Sequence, residues 1–224
     1  MSTRARAPRA QRPPPAPRDT YRHGDLRRAL LDAGVALARA GGPDAVVLRE
    51  ATRRAGVVPN AAYRHFASRD ALLQAVRSEA LAALAIAMER ELSRLRPGTS
   101  PAAFARASLR AVGTAYLRFA QRETGLFRTA FAAGFAAERT HDPAKAGASG
   151  LNPFEILGAA LDRLVAAGVL PAERRPGAEH LAWSAVHGLA MLVVDGPLRR
   201  LSSAQRERVA QRVLEMVEKG LEAA

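Results

Sequence analysis

The chain has 224 residues, no cysteine and a formal net charge of +13. That length suffices for one large domain or two small ones with a buried core. The absence of cysteine excludes disulfides, thiolate metal sites and a cysteine nucleophile.

Hydrophobic residues make up 48% of the chain but aromatic residues only 5%, an Ala/Leu/Val-rich balance that favours helix over strand. The positive charge is uneven. Residues 1–80 carry 15 basic and 7 acidic side chains, a balance of +8, and the other 144 residues carry 19 and 14, a balance of +5. The denser excess at the front predicts a polyanionic partner there, nucleic acid first and an acidic membrane surface second.

Residues 1–22 are rich in Pro and Arg with almost nothing apolar, which predicts a disordered basic arm. Such an arm either lies along phosphates or a minor groove, or is a solvated tail. It lacks the apolar region of a secretory signal, and no apolar run approaches the roughly 18 to 20 residues of a membrane span. A cytoplasmic protein without a membrane partner is the expectation.

Helical periodicity starts at Gly24, with Leu26, Leu30, Ala33 and Leu37 in register, and stops at Gly41-Gly42-Pro43. A short helix over 48–55 ends at Gly56, and a second runs over 59–65. A long connecting helix spans 69–95, with Leu72, Leu73, Val76, Leu81, Leu84 and Met88 on its apolar side, and stops at Pro97-Gly98. Further helices are predicted over 101–121, 123–137, 154–167, 177–194 and 202–221, with 140–153 a mobile loop by composition. No strand pattern and no internal repeat is present, so the fold class is all-α with about nine helices.

The segment AGVVPNAAYRHF, residues 55–66, carries the most specific chemistry. Two short helices around a glycine-bearing turn fit a helix-turn-helix. Gly56 can take the positive φ needed where the first helix stops. Pro59 at the first helical position forfeits no hydrogen bond, because that N–H has no intrahelical partner. Ala61 and Ala62 keep the second helix slim enough for a major groove about 12 Å wide. Tyr63, Arg64 and His65 offer donors to phosphates at the groove edge. Taken singly, the alanines and Tyr63 read better as core residues; as a set in the basic third of the chain they point to DNA.

The span YRHGDLRRALLDAG…LREATRRAGVVPNAAYRHFASRDALLQAV, from Tyr21 to about Ala80, resembles the N-terminal domain of the TetR/AcrR family of bacterial transcription regulators. The matching positions are Ala33 and Leu37, Gly41, Arg49, Ala55-Gly56-Val57, Tyr63-x-x-Phe66 and Arg69 ahead of Leu72-Leu73. The resemblance implies an N-terminal three-helix bundle with a helix-turn-helix over 23–68, and an effector-binding and dimerisation domain over 69–224. It also implies that Asn60 and Ala61 face base edges, with Pro59 opening that helix. Arg49, Tyr63, His65 and Arg69 would hold the backbone, and Arg64 would do either. Two positions depart from the family pattern: Val47 and Val58 stand where a hydroxyl usually caps each short helix, a loss of roughly 0.5 to 2 kcal/mol of local stability.

For the remainder, the family implies a homodimer and a small apolar or amphipathic effector. The pieces AYLRFAQRETGLFRTAF and WSAVHGLAML resemble a subgroup marked by a Trp and a His-Gly pair. The aromatic and soft residues Phe104, Tyr116, Phe119, Phe127, Phe131, Phe135, Trp183, His187 and Met191 are pocket candidates, and each on its own is also an ordinary core residue. His180 and His187, with Glu179, lack a further ligand at useful spacing, so no metal or cofactor is expected. Ala182, Ala185 and Gly188 allow close helix approach, and 177–194 with 202–221 are the dimer candidates. Two recognition helices about 34 to 36 Å apart would read a palindromic operator, and the family reading is a repressor released by its effector. No Ser-His-Asp arrangement, phosphate-cradling glycine loop or paired buried carboxylates argues for an enzyme. A basic helical protein that binds nucleic acid without sequence preference is the alternative, and a regulator with a vestigial pocket is another.

Overall fold

In the computed structural model, which describes residues 26–96, 98, 100–132 and 142–222, nine α-helices are joined by turns and short 3-10 segments, and no strand occurs among those residues. The basic arm over 1–22, the start of the first helix at Gly24 and Phe135 lie outside the described residues.

Helix α1, Leu26–Gly41, buries Leu30, Leu31, Leu37 and Ala38. It ends where Gly42 takes φ 75° ahead of Pro43. Helix α2 spans Leu48–Arg54 and α3 spans Pro59–Tyr63, with Gly56 at φ 68° between them. The second short helix stops two residues before the expected His65. The chain turns there through a bond from His65 N–H to the Ala62 carbonyl, and Phe66 drops into the core at 3% exposure. Arg27 covers that ring from outside, its guanidinium 5.2 Å from the centroid.

Helix α4, Arg69–Leu92, is the spine of the molecule, packing on α1, α5, α6 and α7. Gly34 of α1 lies so close to it that a Cβ would sit 2.8 Å from Val76 Cγ2. By length and composition alone α4 is apolar enough to cross a membrane, which corrects the expectation that no run approaches this limit. Its alanines lengthen the apolar stretch, and 44% of that stretch is buried inside the protein, with Leu72, Val76 and Leu84 fully enclosed.

Helix α5, Pro101–Arg122, and α6, Thr124–Ala130, follow. The helix expected over 123–137 is therefore short in the described region: the Phe131 N–H bonds the Phe127 carbonyl and the helix ends. Helices α7, Pro153–Ala166, α8, Ala178–Val194, and α9, Ser203–Glu222, complete the fold around a single hydrophobic core.

The stretch expected to be a mobile loop departs from its composition. Over 142–152 it forms a 3-10 turn, Pro143–Lys145, followed by turns pinned to α4. Glycine, serine and alanine predict freedom locally, but a distant carboxylate, Glu89, supplies the acceptors that order them.

Candidate functional site

The exposed surface of α2 and α3 follows from which residues face the core. Leu48, Ala51, Ala62 and Phe66 turn inward and are almost fully buried. That orientation leaves Arg49, Pro59, Asn60, Tyr63 and Arg64 exposed, with Tyr63 at 57%. Ala61 and His65 are half-buried beside them. Neither α2 nor α3 receives a side-chain cap, and Val58 projects into solvent at 69% exposure. The first amide groups of both helices are thus without the side-chain oxygen that normally satisfies them.

Charge on this face is partly neutralised. Glu50 accepts bonds from Arg53 at 2.8 and 2.7 Å and from Arg54 at 3.3 Å, and its carboxyl is held at about 2, with the Arg53 hydrogen bonds the main cause. Arg69, expected to hold the DNA backbone, also has partners within the chain. Its Nε donates to the Val46 carbonyl at 2.9 Å and its terminal nitrogen to the Pro43 carbonyl at 2.8 Å, tying the chain before α2 to the start of α4. Sequence spacing places an arginine here but does not reveal that backbone carbonyls already hold it.

The second site is a partly open cavity of about 80 Å³ bounded by α4, α5, α7, α8 and α9. Of the pocket candidates, Tyr116, Phe131 and Trp183 line it. Phe119 and Phe127 are buried away from its wall, Phe104 is half-buried outside it, and Met191 is 39% exposed on the outer face of α8. His187 stands behind the wall: its Nδ1 and the Tyr116 hydroxyl share a hydrogen bond at 2.7 Å, and Trp183 Nε1 donates to the Tyr116 oxygen at 3.3 Å. Burial raises the Tyr116 pKa and lowers that of His187, so both are neutral near pH 7. Phe131 packs within 4.9 Å of the His187 ring and completes an aromatic cluster.

Residue type alone missed most of the wall. Leu81 and Met88 of α4, Leu109, Val112 and Gly113 of α5, Phe154 and Leu157 of α7, and Leu214 and Val217 of α9 supply it. Their helical spacing marked an apolar face, yet nothing in it separates a cavity wall from a filled core.

His180 and His187 do not converge. His180 lies edge-on to Phe154, its ring 5.7 Å away, while His187 faces Tyr116. Among the described residues no group of His, Asp and Glu is placed to hold a metal ion.

One short helix joins the two sites. Phe131, at the end of α6, is on the cavity wall. At the other end of α6, Gly125 is seated against the last carbonyls of α1, where a Cβ would overlap Ala38 O and Arg39 O. An ion pair from Arg39 to Glu123 at 2.7 Å closes the same junction.

On the outside, α8 exposes Leu181 at 67%, Ser184, Gly188, Met191 and Leu192, and α9 exposes Met216. These α8 residues recur at helical spacing on one face. A Cβ at Gly188 would meet nothing within 4 Å. Ala182, expected to aid close approach between subunits, instead points inward and lines the cavity.

Comparison with known proteins gives two family matches. Residues 30–76 match the model for bacterial regulatory proteins of the TetR family, and residues 109–217 match the tetracyclin repressor-like C-terminal domain. No curated protein matches the chain in sequence. Among solved structures, a protein of unknown function from Rhodococcus sp. RHA1 is 25% identical over 92% of this chain and 100% of its own, with a TM-score of 0.70. A TetR-family transcriptional regulator from Pectobacterium atrosepticum is 19% identical over 92% and 99% of the two chains, with a TM-score of 0.63. RolR, solved with the ligand resorcinol, is 17% identical over 90% and 94%, with a TM-score of 0.57. These last two likenesses establish the fold.

Proposed function

Since the chain belongs to the TetR family and is a DNA-binding regulator, we propose that it is a homodimeric repressor, released from a palindromic operator by a small apolar or amphipathic effector. The observation that carries this reading is the α6 junction, which connects a wall of the cavity to the carbonyl end of α1.

In this proposal residues 23–68 are the DNA-binding domain and 69–224 the effector and dimerisation domain. Asn60 pairs with an adenine edge and Ala61 meets a thymine methyl. Arg49, Tyr63, Arg64 and His65 hold phosphates. The uncapped amides of α2 and α3 are further phosphate donors, as helix N-termini are elsewhere. Arg69 contributes by fixing the chain before α2 and leaves one face of its guanidinium for the backbone.

The effector occupies the cavity against Tyr116, Phe131 and Trp183. An occupant larger than the present space displaces Phe131, and α6 carries that displacement to α1. Only an occupant that binds one dimer geometry better than the other shifts the equilibrium. Binding of resorcinol by a protein of this fold supports a small ring as a suitable size. Trp183, His187 and Gly188 together support assignment to the Trp/His-Gly subgroup. The exposed α8 stripe and α9 support a dimer through 177–194 and 202–221, with Gly188 allowing close approach of the partner helix. A non-enzymatic regulator acting on chromosomal DNA works in the cytoplasm.

Selection of bound DNA from random sequence tests the operator reading. A palindromic consensus is the expected result, and enrichment without any consensus leaves a non-specific binder. For the effector reading, a ligand that stabilises the protein in a thermal-shift screen must also lower operator affinity.

A further inference from the structure

The proposed effector cavity is bounded by helices on most sides, each several turns long and rooted in the core. One part of its wall differs. Residues 142–152 bring Lys145 and Asn152 to the cavity before the chain enters α7 at Pro153 and Phe154. This wall is one layer thick, since Pro143, Ala144, Ala148 and Ser149 are exposed on its outer side.

The segment folds partly on itself. Gly147 N–H donates to the Leu151 carbonyl at 2.9 Å, and Gly150, at φ 80°, donates to the Gly147 carbonyl at 3.1 Å. Its attachment to the rest of the protein is concentrated. Among the described residues, the hydrogen bonds that tie 146–151 to another element all end on the Glu89 carboxylate of α4. These come from Ala148 N–H at 2.9 Å, Ser149 N–H at 2.8 Å and the Ser149 hydroxyl at 2.5 Å. A Cβ on Gly147 would overlap the same carboxylate, so glycine there lets the chain lie against it. Burial pulls the Glu89 pKa up, but the bonds from Ser149 and Ala148 outweigh it and hold the group below its ordinary value.

A thin stretch, 146–151, whose hydrogen bonds to other elements all end on one side chain opens at lower free energy than the helices beside it. We infer that Glu89 is the positioning residue that fastens 146–151, the stretch between the cavity-lining Lys145 and Asn152, and that small molecules pass here rather than between helices. Its biological meaning rests on the cavity being the effector site, but the physical claim does not. Because Glu89 stands on α4, which begins just after α3, the fastening of the wall and the mounting of the DNA-reading helix share one rigid element.

The single tryptophan of the chain, Trp183, lines this cavity and reports access directly. The probe is acrylamide, a small neutral quencher of indole fluorescence. Glu89→Ala should raise the Trp183 quenching constant several-fold. Glu89→Gln keeps one acceptor oxygen and Ser149→Ala keeps both backbone donors, so each should give a smaller rise. Glu91→Ala, on the same helix as Glu89, removes ion pairs to Arg94 and to Arg118 of α5 and should stay at the wild-type value. Hydrogen exchange at the Ala148 and Ser149 amides should rise in the same order. If Glu89→Ala does not fold, Glu89→Gln and Ser149→Ala carry the test. Unchanged quenching in the folded Glu89 variants, or an equal rise in Glu91→Ala, overturns the inference. Failure of the effector reading has a different signature, with no ligand found and the quenching order intact.

Discussion

The two halves of this molecule differ in how they start their helices. From α4 onward, Ser68, Ser100 and Asn152 each place a side-chain oxygen on the first amides of α4, α5 and α7, and Asn152 forms a full capping box with Glu155, while α6 and α8 start without a side-chain cap. In the DNA-reading half, Val47 and Val58 offer no side-chain oxygen to α2 and α3, and only their backbone carbonyls accept, from Glu50 and Ala61 N–H. Around the cavity, α4, α5 and α7 satisfy first amides from within the chain. A half that meets a polyanion can leave them for phosphate, at the expense of local stability.

The contrast can be broken at four places, in descending order of effect. The largest is the junction itself. Gly125→Ala forces a methyl onto the α1 carbonyls, which cannot move aside as a side chain would. Overpacking of this kind costs up to about 3 kcal/mol, read as a fall in the denaturant midpoint. Next is Asn60→Ala, which should cost about 1 to 3 kcal/mol of base discrimination, seen as a broadened consensus in DNA selection. Arg64→Ala instead should weaken all sequences alike and reduce the salt slope by about 1.

A reciprocal pair of cap changes comes third. Asn152→Ala should destabilise the protein by about 1 kcal/mol, while Val58→Ser should stabilise α3 by a comparable or smaller amount. If Val58→Ser also weakens operator binding, the bare amides serve phosphate; unchanged binding would restrict the contrast to stability.

The smallest effect concerns pH. Burial lowers the folded-state pKa of His187, so its neutral form is favoured by folding. The unfolded chain then binds more protons around pH 6, and stability from this group is full above an ordinary pKa of about 6.5 and declines as pH falls below it. His187→Asn should flatten the loss of stability between about pH 7 and 5, measured by chemical denaturation at each pH.

Much of this architecture is readable in the chain. Proline, glycine and apolar period gave the order of the helices and the turn at Gly56, because those signals act on neighbours in sequence. What escaped depends on distant partners. Glu89 orders 142–152 from about sixty residues away, and the carbonyls of Pro43 and Val46 occupy Arg69. Aromatic residues also could not be sorted by type. Phe127 and Phe131, four apart on one turn, differ in that only Phe131 reaches the cavity.

The bare contact of Gly125 with α1 has a mechanical consequence. Side chains absorb small shifts by changing rotamer, as a cushion takes up slack. Here backbone rests on backbone, and close-packed main chain has little compliance. The joint therefore has almost no backlash: a fraction of an ångström at α6 must either appear at α1 or part the two helices. Padding it with even one methyl group would jam the movement as well as strain the fold.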